Sequence, residues 1–71
     1  MRLGDLVSQA RQRAGMSLQD LSDATSITKS HLHAIEKGAT VNIEIMSAIR
    51  LSVALGIPIN ALASAALESS S

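Results

Sequence analysis

The sequence predicts an all-α domain, a compact bundle of five short helices, and three observations predict it. Apolar residues recur at three- and four-residue spacing through most of the 71 residues. Glycine or proline falls where those stripes break. The one stretch that alternates like a strand has no second strand to pair with. Hydrophobic residues make up 46% of the chain, yet Phe, Tyr and Trp are absent. The core must therefore be assembled from Leu, Ile, Val, Ala and Met, which pack well between helices.

The first helix is expected from about Leu3 to Ala14, with Leu3, Leu6, Val7, Ala10 and Ala14 on one face. Gly15 suits the left-handed position that closes it. Ser17 reads as an N-cap, and Asp20 three residues on forms a capping box with Asp in place of the usual Glu. The second helix spans about 18 to 25, with Leu18, Leu21 and Ala24 inward, and leads into the turn Thr25-Ser26-Ile27. Thr28 is the expected N-cap of the third helix, which carries Leu32 and Ile35 inward, runs to Lys37 and stops at Gly38. In ATVNIEIM (39–46) the alternation of Val41, Ile43 and Ile45 is a strand pattern, but a lone strand is unstable company for helices. We therefore read 39–42 as a loop, with Asn42 capping a fourth helix from about Ile43 to Leu55. Gly56 ends that helix and Pro58 opens a fifth, at about 59–67, with Ile59, Leu62, Ala63, Ala66 and Leu67 on one face. Residues 1–67 are expected to form a single domain and 68–71 a disordered tail, with no linker and no internal repeat.

A chain this short sits near the lower limit for an independent core, which nets only about 3–5 kcal/mol at such a size. Cysteine is absent, so disulfides and thiolate metal sites are excluded, and self-association is the reinforcement left to consider. No apolar run approaches the length of a membrane span. The start, Met1-Arg2-Leu3-Gly4-Asp5, is charged where a signal peptide would be apolar, so a cytoplasmic protein is expected.

The third helix holds most of the chemistry. At 100° per residue, Ser30 and Lys37 point almost opposite the direction set by Leu32 and Ile35. His33 and Ala34 lie about 130° from it, and Lys29, His31 and Glu36 sit on the flanks. The outward set is polar, small and partly cationic. Ser and Lys suit base edges and phosphates, but a solvated helix face has the same composition. His31 and His33 diverge by about 200° and cannot share one metal ion, which needs spacing of three or four on a helix. No metal, cofactor or small-molecule ligand is expected. Nor is catalysis: no glycine-rich phosphate loop is present, and a Ser–His–Asp constellation needs a buried, oriented setting.

Two short helices joined by a tight turn form a unit that places its second helix in the DNA major groove. Ser17 to Ser22, Ile27 to Gly38 and the later Leu51-Ser52-Val53-Ala54-Leu55-Gly56-Ile57 together resemble the lambda-repressor/Cro-like (XRE-type) helix-turn-helix family. The resemblance covers roughly Leu3 to Leu62 and implies a five-helix domain of the lambda-repressor-like type, with helices 2 and 3 as the helix-turn-helix. It implies operator DNA as ligand, with Lys29, Ser30, and His33 or Ala34 at base-contacting positions. Ser17, Gln19, Thr28, Lys37 and Arg13 are implied phosphate contacts. Arg11 and Glu36 fall where the family often has a structural ion pair. Three positions depart from the family pattern: Leu18 stands where Gln is usual, Ser26 where the turn usually has Gly, and the loop before helix 4 is one residue longer.

The leading expectation is thus a transcriptional regulator, a repressor of the Cro-like or autoregulatory kind, that binds a near-palindromic operator as a homodimer. Two recognition helices would read half-sites about 34 Å apart. Ile59, Leu62, Ala63 and Ala66 are the expected dimer surface, although packing back onto helices 1 and 4 would explain the same residues. The alternative is a protein-interaction module that keeps the fold without strong DNA binding. Its support is Leu18 in place of Gln and a formal net charge of zero, since phosphate neutralisation supplies most non-specific affinity. A third reading makes this the N-terminal domain of a longer repressor, its Ser-rich end the start of a linker.

Overall fold

Turn chemistry, more than helix propensity, sets where the helices begin and end. The computed structural model describes residues 1–40 and 43–70. Its helices are α1 (Leu3–Arg13), α2 (Leu18–Thr25), α3 (Lys29–Glu36), α4 (Ile45–Leu55) and α5 (Ile59–Ser70), with no strand among the described residues. The start of α2 is a full capping box: Ser17 Oγ accepts from the Asp20 amide at 3.0 Å, and Asp20 Oδ2 accepts from the Ser17 amide at 2.9 Å. Thr28 Oγ1 accepts from the His31 amide at 3.2 Å and opens α3. At the other end of α3, Gly38 donates to Ile35 O and Ala39 to Ala34 O, the paired bonds of a Schellman close.

The α2–α3 and α4–α5 turns are built alike except at the isoleucine amide, which donates to Thr25 Oγ1 in the first and to Ser52 O in the second. Leu21-Ser22-Asp23-Ala24-Thr25-Ser26-Ile27 and Leu51-Ser52-Val53-Ala54-Leu55-Gly56-Ile57 share Leu-Ser-x-Ala-x-x-Ile, a local repetition that the sequence reading passed over. In each, the serine hydroxyl donates to the isoleucine carbonyl five residues on. In each, the residue before that isoleucine is left-handed and donates its amide back to the same serine's carbonyl. Gly56 (φ 67°, ψ 32°) occupies that conformation freely, whereas Ser26 (φ 60°, ψ 21°) is the only non-glycine residue with positive φ among those described.

Leu3 and Val7 of α1, Leu21 of α2, Ile27 of the α2–α3 turn, Leu32 and Ile35 of α3, Leu51 of α4, and Leu62 and Ala65 of α5 form the core. Helix α1 packs against α3, α4 and α5, and α2 against α3 and α4. Gly4 fits this arrangement for want of a side chain: a Cβ there would lie 2.6 Å from both Ile35 O and Glu36 O. The N-terminal turn of α1 therefore lies directly on the C-terminal carbonyls of α3.

Several expectations need correction. Ala24 is exposed, and Thr25 takes its place in the core because 18, 21 and 25 continue a helical stripe that 24 leaves. The Thr25 hydroxyl is satisfied there, donating to Leu21 O at 2.7 Å and accepting from the Ile27 amide at 3.3 Å. Helix α1 ends at Arg13, with Ala14 an exposed C-cap. Helix α4 starts at Ile45 behind the extended Glu44, and Ile43 packs partly on the core from outside the helix. The expected cap at Asn42 lies outside the described residues. Helix α5 runs to Ser70, so 68–70 are helical rather than a loose tail. Ser69 explains the extension: its hydroxyl accepts from the Leu3 amide at 2.8 Å, capping α1, and donates to Ala65 O at 2.9 Å. Leu62 and Ala66 face the core as expected, but Leu67 is exposed and Ala65 is buried instead. No helix among the described residues is long and apolar enough to cross a membrane.

Candidate nucleic-acid interface

The third helix is fastened from its inner side. Leu32 and Ile35 are fully buried, and Glu36, at the end of α3, is gripped by Arg11 of α1. Arg11 Nε donates to Glu36 Oε2 at 2.7 Å and Nη2 to Oε1 at 3.1 Å, a two-pronged bond, while Nη1 donates to Met16 O at 2.9 Å. The two side chains are 16% and 9% exposed. The Glu36 hydrogen bond raises the Arg11 pKa above its already high value, outweighing the opposite pull of burial. Arg11 is thus structural and unavailable to a ligand.

The opposite face carries Lys29, Ser30, His33 and Lys37, all exposed. His31 and Ala34 are half-buried at its edges, so the two histidines face different surroundings. Lys29, Ser30 and His33 line a shallow depression of about 360 Å³ together with Leu18, the first residue of α2. Leu18, which stands where the family usually has Gln, borders the first turn of α3, a placement its position in the inner stripe of α2 does not reveal.

The remaining expected contacts divide. Ser17 and Thr28 sit at the starts of α2 and α3, their oxygens occupied as caps. Ser17 also holds the Asp20 carboxyl below its usual pKa range, first through its backbone N–H and then through its hydroxyl. Gln19 Nε2 donates to Asp23 Oδ1 at 3.0 Å, so its amide is turned to a neighbouring acid. Lys37 lies at the far end of α3 in a second depression with Arg2, Asp5 and Ser69. Arg13 borders a third, between α1 and the α4–α5 turn with Leu6, Gln9 and Pro58, apart from the Lys29 cluster.

Away from this face, Ile45 (69% exposed), Ile49 and Val53 (79% exposed) form an uncovered apolar line along α4, with Met46 beside it. A mostly apolar groove, lined by Ile43, Ile45, Ala48, Ile59, Leu62, Ala63 and Ala66, separates α4 from α5. Leu62, expected on a dimer surface, is only 3% exposed and belongs to the core, because 62 and 65 form the inner stripe of α5.

A protein-family model described as helix-turn-helix matches residues 7–62. Neither the curated proteins nor the solved structures gave a significant match.

Proposed function

The chain belongs to the helix-turn-helix family of the XRE, lambda-repressor/Cro-like type, a family of DNA-binding transcription regulators, and from that premise we propose that it is a repressor binding a near-palindromic operator as a homodimer. The observation that carries this reading is the division of labour in α3: every buried or ion-paired residue holds the helix, and Lys29, Ser30 and His33 are left exposed in its first two turns. Those three make the base contacts, with Ala34 offering only a small apolar edge. Ser17, Thr28 and Lys37 contact phosphates and set the register, with Gln19 and Arg13 as flanking contacts. The second protomer covers the α4–α5 surface through Ile45, Ile49, Val53, Ile59, Ala63 and Ala66, where exposed apolar side chains of α4 adjoin the apolar groove. The protein works in the cytoplasm, where operator DNA is at hand.

The test is selection of bound sequences from a random duplex pool at moderate salt. A two-fold symmetric motif is the expected result. Lys29→Ala or Ser30→Ala then relaxes preference at one position per half-site, and Lys37→Ala weakens all sequences alike with a shallower salt dependence. The exposed α4 line also favours a second reading, a protein-interaction module without strong DNA binding. A folded protein that enriches no sequence would select that reading and reject the first.

A further inference from the structure

The depression beside α3 has an unexpected lining. Three of its four residues, Lys29, Ser30 and His33, are polar, yet its surface is mainly apolar. Leu18 is the one apolar residue of the lining: it is partly buried, packs against the core and also borders the depression. Beside it, the stem of Lys29 adds aliphatic surface while its charged head reaches for solvent or phosphate. A phosphate oxygen gains nothing from an apolar wall, because it needs hydrogen-bond donors. The major-groove edge of a base pair offers donors and acceptors and one apolar group, the C5-methyl of thymine. An α3 seated in the groove by Lys29 and Ser30 brings this wall to the base edges.

We propose that Leu18, on the first turn of α2, is a specificity-determining residue that packs against the C5-methyl of a thymine in each operator half-site. The inference rests on the operator-binding reading and assigns sequence discrimination to a residue outside the recognition helix. Its partner is one methyl group, which makes it testable by removing that group alone.

The experiment uses the duplex chosen by site selection, with each thymine replaced singly by deoxyuridine and affinity read by fluorescence anisotropy. Wild-type protein should lose about fourfold at one thymine per half-site, the value of one buried carbon. Leu18→Ala, checked by thermal melting, should bind thymine and deoxyuridine duplexes alike at that position. Leu18→Met keeps an apolar side chain and should retain the sensitivity. A deoxyuridine penalty that persists undiminished in Leu18→Ala would assign the methyl to another residue and overturn the proposal. So would the absence of any penalty in an operator that contains thymine. Either result leaves operator binding standing, whereas a folded protein that selects no operator removes the reading beneath both.

Discussion

Replacing Ser26 with glycine should stabilise the protein, and the chain contains its own control. The α2–α3 and α4–α5 turns share the serine hydroxyl bond and the left-handed cap, which is Ser26 in the first and Gly56 in the second, and differ in the acceptor of the isoleucine amide, Thr25 Oγ1 against Ser52 O. An L-residue with a Cβ in that region costs about 1–2 kcal/mol. Glycine avoids the clash but loses more backbone freedom on folding, about 0.5–1 kcal/mol. The difference leaves a net gain of about 0.5–1 kcal/mol for Ser26→Gly. The Ser26 side chain is exposed, and the amide that donates to Ser22 O at 2.8 Å is kept by glycine. For a domain of this size the gain raises the midpoint by roughly 2–8 °C. Gly56→Ser should cost a similar amount, and the double exchange should return near the wild-type value. The assay is thermal and urea unfolding followed by far-ultraviolet circular dichroism, since a chain without Trp or Tyr gives no useful fluorescence. An unchanged or lower midpoint for Ser26→Gly, with Gly56→Ser destabilising as expected, would refute the equivalence of the two turns.

Other substitutions probe the packing that holds α3. Gly4→Ala, favourable in an ordinary helix by about 1 kcal/mol, should instead destabilise by about 1–2 kcal/mol, because its Cβ meets two carbonyl oxygens at 2.6 Å; a rise in melting temperature would show that α1 can shift freely. Glu36→Ala leaves the Arg11 guanidinium in a mostly desolvated place with Met16 O alone, and should cost about 2–3 kcal/mol. Melting indistinguishable from wild type would remove the pair from the list of supports. Asp20 has a lowered pKa in the folded state, so its contribution is complete above the ordinary aspartate value, about 3.9, and fades as pH falls through the lower folded value. The wild-type advantage over Asp20→Asn should therefore shrink in acid, and parallel acid limbs for the two proteins would contradict the capping-box assignment.

Helix boundaries governed by local chemistry were legible in the sequence. Ser17 with Asp20, Thr28, Gly38 and Gly56 mark their ends through short-range bonds that a linear reading can see. The Arg11–Glu36 pair was legible only through family resemblance, because its partners are 25 positions apart. The misplaced residues are those whose fate depends on distant segments. The last turn of α5 is ordered by Ser69 meeting Leu3, a contact across 66 positions that no periodicity announces. Leu62 reads equally as core or interface until the packing of α5 is known. Thr25 was passed over because threonine reads as polar, and only the turn geometry satisfies its hydroxyl inside the core. In the candidate interface, the outward face of α3 was legible from its wheel. The place of Leu18 beside Lys29, Ser30 and His33 was not, because one dimension shows its departure from the usual Gln but not its neighbours across the turn.

The way α3 is fastened separates two kinds of information in one helix. Its tethers, Leu32, Ile35, Thr28, the Gly38 close and the Arg11 grip on Glu36, all lie on one side or at the ends. Lys29, Ser30, His33 and Lys37 belong to none of them, so their letters can be rewritten without asking the domain to fold anew. Such a layout makes the target a cheap thing to change and the scaffold an expensive one. Divergent copies of this protein would then differ first in what they read and last in how they stand.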